Sequence, residues 1–91
     1  MIKPIETEFN RYGFSFKMMK REGDKAIFRK SKLNIVSYEV VILRRHNGYE
    51  INGMQIAPAE YYPSNESWGA HGWSYQDYES ALDRFSKVTF L

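Results

Sequence analysis

The chain has 91 residues, of which 43% are hydrophobic and 16% aromatic, with 13 Lys and Arg against 11 Asp and Glu, a formal net charge of +2. That length fits a single domain, residues 1–91, and the ordinary apolar and aromatic content argues against disorder. The absence of cysteine excludes disulfides, thiolate metal sites and cysteine nucleophiles.

Pro4 to Tyr12 reads as a short N-terminal helix. Proline suits a first turn, Glu6 and Glu8 suit the positive end, and Gly13 is a C-cap residue. Ile5, Phe9 and Tyr12 fall at helical spacing. Phe14 to Lys20 alternates as a half-buried strand, with Phe14, Phe16 and Met18 on one side and Ser15, Lys17 and Met19 on the other. Gly23-Asp24 marks a turn. Lys25 to Arg29 alternates again, Ala26 and Phe28 opposing Lys25, Ile27 and Arg29, and a second turn lies around Ser31 to Asn34.

Ile35 to Arg45 is the strongest strand. Tyr38, Val40 and Ile42 share one face, Val41 and Leu43 the other, which predicts cover on both sides near its C-terminal half. Asn47-Gly48 and Asn52-Gly53 are both two-residue hairpin signals. Asn47-Gly48 follows the longer strand and is expected to close the main hairpin. Met54 to Ala57 is a short further strand, and Pro58 to Gly72 is a long aromatic loop. Ser74 then opens the last helix, with Asp77 at capping-box spacing. Tyr78, Ala81, Leu82, Phe85 and Val88 make its apolar stripe. The expected fold is α+β: a short N-terminal helix, an antiparallel β-meander of three to five strands, the aromatic loop, and a C-terminal amphipathic helix packed on one sheet face. The other face is expected to be solvated and to carry Lys17, Lys25 and Arg29.

Charge is unevenly placed. Lys17 to His46 holds nine basic residues against three acidic ones, whereas Asn47 to Leu91 holds two against six. Such a dipolar chain can orient a charged partner.

Catalytic and metal chemistry find little footing. His46 and His71 have no ligand-type spacing, and His71 with Glu66 supplies only two ligands. Ser64 or Ser67 with His71 and Asp77 can be drawn as a triad, but no nucleophile elbow surrounds either serine. Glu60 and Glu66 make an ordinary carboxylate pair, and no phosphate-binding glycine loop is present. No cofactor and no metal are expected.

Binding is better supported. The segment from Tyr61 to Tyr75 holds both tryptophans and three tyrosines. Tyr61, Tyr62 and Trp68, with Arg44 and Arg45, are the residue types of interface hot spots, and Glu66 can meet a basic surface. Trp73 and Tyr75 are expected to anchor the last helix. The alternative is single-stranded RNA or DNA on the basic strands, through Lys17, Lys25, Arg29, Arg44 and Arg45. A small enzyme with its site at a dimer interface is a third reading. The N-terminus has no apolar signal core and no segment reaches transmembrane length, so the expectation is a cytoplasmic protein with no membrane partner, monomer or homodimer.

Four pieces of the C-terminal half carry a resemblance: Tyr38 to His46, Ala59 to Gly69, Gly72 to Tyr75, and Ala81 to Phe85. With its Tyr-Pro-Ser-Asn-Glu-x-x-Trp-Gly pattern, the chain resembles small uncharacterised proteins of tailed bacteriophages and mobile elements. The resemblance implies a phage accessory product that binds and inhibits a host or defence protein, as an anti-CRISPR protein does. It carries no catalytic residue over.

Overall fold

The computed structural model describes residues 2–63, 68–69 and 71–88. No N-terminal helix forms. Glu8–Arg11 is the first strand, β1, and it returns as β2 (Phe14–Glu22) through Tyr12-Gly13. Both turn residues have positive φ, 55° and 79°, as a type I′ hairpin turn requires. Pairing wins over helical spacing because it sets Phe9 opposite Phe16, their rings stacked at 4.9 Å. An isolated helix of that length would have little to hold it.

The meander continues through β3 (Lys25–Lys32) and β4 (Ile35–Ile42), turning at Gly23-Asp24 and at Leu33-Asn34. Then come β5 (Arg44–His46), β6 (Tyr49–Ile51), β7 (Met54–Ile56), β8 (Ala59–Tyr61), β9 (Gly72–Tyr75) and α1 (Tyr78–Lys87). The main sheet is five-stranded and antiparallel, in the order β1-β2-β3-β4-β9; β5 pairs with β8 and β6 with β7. The architecture is therefore α+β, mostly antiparallel sheet with one C-terminal helix. Asn47-Gly48 does not close a hairpin; Asn52-Gly53 does, between β6 and β7. Gly48 instead answers a close approach, since a Cβ there would lie 2.9 Å from the Ile56 carbonyl oxygen.

Both sheet faces are covered. On one, the stripe Tyr78, Ala81, Leu82, Phe85 and Val88 of α1 packs over Ile27, Val40, Tyr38 and Ile42, with Trp73 and Tyr75 alongside. The helix starts later than its sequence suggests, because Ser74 belongs to β9, opposite Glu39. Asp77 is the N-cap, accepting a hydrogen bond from the Ser80 N–H at 2.7 Å. On the other face, Phe16, Ala26, Phe28, Val41, Leu43 and Tyr62 form a second core with Ile5, Phe9, Phe14, Met18 and Trp68 against it. Neither face is the expected solvated basic surface. The register shift between Met18 and Lys20 contributes to this arrangement. Beyond it Lys20 opposes Ile27 under the helix, and Arg21 opposes Ala26 on the second core's side. Among the described residues, no helix is long and apolar enough to cross a membrane.

Candidate binding surface

The chain leaves the main sheet at Leu43, which is buried and whose N–H donates to the Asp24 carbonyl at 2.7 Å. From there it runs out along β5 and β6 and back along β7 and β8, making a two-stranded arm. The base of the arm is held firmly. Lys3 bridges to Ala59 in parallel, its N–H donating to Pro58 O at 3.0 Å. Glu60 accepts two hydrogen bonds from the Arg21 guanidinium, at 2.8 and 2.6 Å, and one from the Ile5 N–H at 3.1 Å. Arg45 lies 3.6 Å from the same carboxylate and also pairs with Asp24. The bidentate Arg21 contact holds the Glu60 carboxyl well below the usual range, down to about 2, against the opposing effect of burial.

Arg45 and Glu60 occupy one side of the arm; Arg44, His46, Tyr61 and Ala59 occupy the other. On that second side the His46 ring sits between two tyrosines, 5.9 Å from the Tyr61 ring and 5.0 Å from Tyr49. Register then places Tyr49, Ile51, Met54 and Ile56 on one face of the β6–β7 hairpin, with Glu50 and Gln55 on the reverse. Tyr61, Tyr49, Ile51 and Met54 are 42, 47, 52 and 66% exposed. They form an apolar strip along a two-stranded ladder that has no core of its own. Such a hairpin is marginal by itself, and its large apolar side chains stay exposed on one face. Of the residues on and beside this strip, the sequence reading names Tyr61 and Arg44 as binding candidates and does not name Tyr49, Ile51 and Met54. The signal was the alternation either side of Asn52-Gly53, which pairs four apolar side chains on one face.

The other predicted contacts have structural work. Tyr62 is buried among Phe9, Phe16 and Phe28, and its hydroxyl donates to Glu39 at 2.6 Å. Burial, and then the Glu39 charge, push its phenol far above the ordinary value. Trp68 packs against the same core, and its indole N–H donates to Ser74 Oγ at 3.1 Å. That hydroxyl donates in turn to Glu39 at 3.2 Å. Glu66 lies outside the described residues, as do Ser64 and Ser67. Comparison with family models, with curated proteins and with solved structures returned no match.

The basic set divides in the same way. Lys25 is buried beneath the end of α1 and donates to the Phe85 and Val88 carbonyls, at 2.8 and 3.3 Å. Arg45 is engaged with Glu60 and Asp24, and Arg44 Nη1 lies 3.3 Å from the His71 ring nitrogens. Lys17 and Arg29 face each other in register on the helix side of the sheet. Among the described residues neither is in an ion pair.

Proposed function

We propose that the chain is a non-catalytic protein-binding domain that holds its partner on the strip Tyr61, Tyr49, Ile51 and Met54, with Arg44 at its base. The observation that supports this most is the strip itself: an exposed apolar face on a ladder whose base is fixed by Glu60, Arg21 and Arg45. Fixing the base lowers the entropy lost when a partner docks, and the tyrosines supply large contact area at little rotamer cost. With the resemblance to phage proteins, the partner we propose is a host or defence protein whose action the domain inhibits or modulates.

The test is capture from bacterial lysate by the immobilised chain, with and without nuclease, beside the variant Ile51→Ser/Met54→Ser. Both side chains are exposed, so the variant should melt like the wild type. The expected result is a stoichiometric protein that survives nuclease and is lost with the strip variant. Material that disappears on nuclease treatment, and with Lys17→Glu/Arg29→Glu, would move the reading to single-stranded nucleic acid.

A further inference from the structure

The end of the sheet opposite the arm carries a second unpartnered feature. β1–β2 and β3–β4 turn at this end, and β4 runs from it towards the arm. Tyr12 and Leu33 occupy the first turn positions of the two hairpins, with φ of 55° and 54°. Bulky side chains rarely adopt that left-handed backbone, where Asn or Gly is usual. Neither side chain repays the strain by packing into the core: Leu33 is 94% exposed, and Tyr12, 80% exposed, meets the neighbouring Arg11 side chain. Ile35, just after the second turn, is 67% exposed. Strain retained without burial in the core points to an external contact.

The surroundings specify its chemistry. Arg11 and Lys32 flank the tips, and residues 10–15 and 31–38 contain no Asp or Glu; Lys30, one step further in, lies 3.5 Å from the Glu39 carboxylate. Lys30 and Lys32 lie over the Phe14 ring at 4.4 and 5.4 Å, and Arg11 over Tyr12 at 5.0 Å. Register places Arg11 beside Phe14, and Lys32 beside Ile35, across one end of the sheet. A side chain as exposed as Leu33, on the apex of a turn, is convex. A rigid protein partner would need a matching pit for each tip, whereas a lipid layer deforms around both. We propose that these hairpin tips dock on an anionic bilayer, with Tyr12, Leu33 and Ile35 entering the headgroup region and Arg11 and Lys32 contacting lipid phosphates. Lying on a bilayer needs no spanning helix, and it needs two combined signals, apolar insertion and basic charge. Both are present at this end. The proposal is independent of the strip on the arm.

The experiment is co-sedimentation of the full chain with vesicles of mixed phosphatidylserine and phosphatidylcholine, and with phosphatidylcholine alone. Binding is expected to the mixed vesicles and to fall with salt. Each base near an anionic surface is worth about five-fold in affinity. Arg11→Glu/Lys32→Glu should therefore weaken binding by at least twenty-five-fold, an order-of-magnitude figure. Tyr12→Asn/Leu33→Gly should weaken it by on the order of a hundred-fold, because two large apolar side chains no longer leave water. These replacements suit a left-handed backbone, so the melting temperature should hold or rise while binding falls. Should that pair fail to fold, Leu33→Trp gives a second readout: its emission should shift to the blue with mixed vesicles. Failure to sediment with mixed vesicles would overturn the proposal. So would binding that survives Tyr12→Asn/Leu33→Gly, or a Leu33→Trp emission that stays put on bound protein.

Discussion

Lys25→Met separates a structural lysine from a nucleic-acid contact. The lysine Nζ donates to Phe85 O at 2.8 Å, within the range of a full charge-assisted bond, and more weakly to Val88 O at 3.3 Å. It also lies 4.5 Å from the Phe85 ring centroid. Phe85 lies in the last turn of α1 and Val88 caps it, where the helix dipole favours a cation. Methionine keeps much of the apolar stem and removes the charge. The stronger bond contributes about 2 kcal/mol, the weaker about 1, and the ring contact about 0.5 to 1. These are net values, and burying methionine's apolar end in place of the ammonium returns about 1 to 2 kcal/mol. The net loss is about 2 kcal/mol, which lowers Tm by roughly 8 to 16 °C in a domain of this size. Thermal melting followed by circular dichroism measures it. A Tm within about 2 °C of the wild type would refute the cap. Charge reversal at Lys25 is for the same reason no test of nucleic-acid binding, since it sets a carboxylate against the negative end of the helix. Lys17 and Arg29 are the positions for that test.

Glu60→Gln should loosen the base of the arm, and its effect should depend on pH. The carboxyl titrates at about 2 in the fold against 4.5 as an ordinary glutamate, so the folded value is depressed. Its stabilisation is fully present above about 4.5 and is lost as pH falls through about 2. Denaturant midpoints of wild type and variant should differ at neutral pH and converge in strong acid; a gap that stays constant from pH 7 to pH 2 would contradict the pairing. Tyr62→Phe keeps the ring and strands one oxygen of the buried Glu39, at a cost of about 1 to 3 kcal/mol in urea unfolding. Gly72→Ala would drive a methyl group into the Trp68 ring, which lies closer than carbon atoms can approach. It should cost about 1 to 3 kcal/mol and change the tryptophan emission; unchanged emission would mean that Trp68 does not pack there.

The sequence was legible where alternation and apolar identity agreed. The faces of β4 follow from Tyr38, Val40 and Ile42 against Val41 and Leu43, and the helix stripe lands on the sheet residue by residue. It was illegible where two periodicities overlapped. Ile5, Phe9 and Tyr12 satisfy helical spacing, but Phe9 also pairs with Phe16, a partner seven residues on that no local window weighs. Rivalry between Asn47-Gly48 and Asn52-Gly53 had the same root. A glycine needed for close approach to Ile56 and Pro58 looks, in sequence, like a glycine needed for a turn. The basic middle of the chain misled because charge was read without depth. Lys25 and Arg45 are engaged by a helix end and by carboxylates distant in sequence, and Glu60 draws in Arg21 from 39 residues away.

The two unpartnered surfaces bear on each other through β4. Its eight residues, at about 3.3 Å each, set the hairpin tips and the root of the arm roughly 25 Å apart on a rigid sheet. The tips are basic and convex, and the arm is an apolar, tyrosine-rich strip with Glu50 on its reverse. The two ends therefore favour different partners and can be occupied together. If both are used, losing one should leave the other's affinity nearly unchanged, because sites this far apart with no shared contact residue act almost independently. The arm should then capture its protein equally well from Tyr12→Asn/Leu33→Gly and from wild type. A protein captured less well by the tip variant would instead place both ends on one continuous partner.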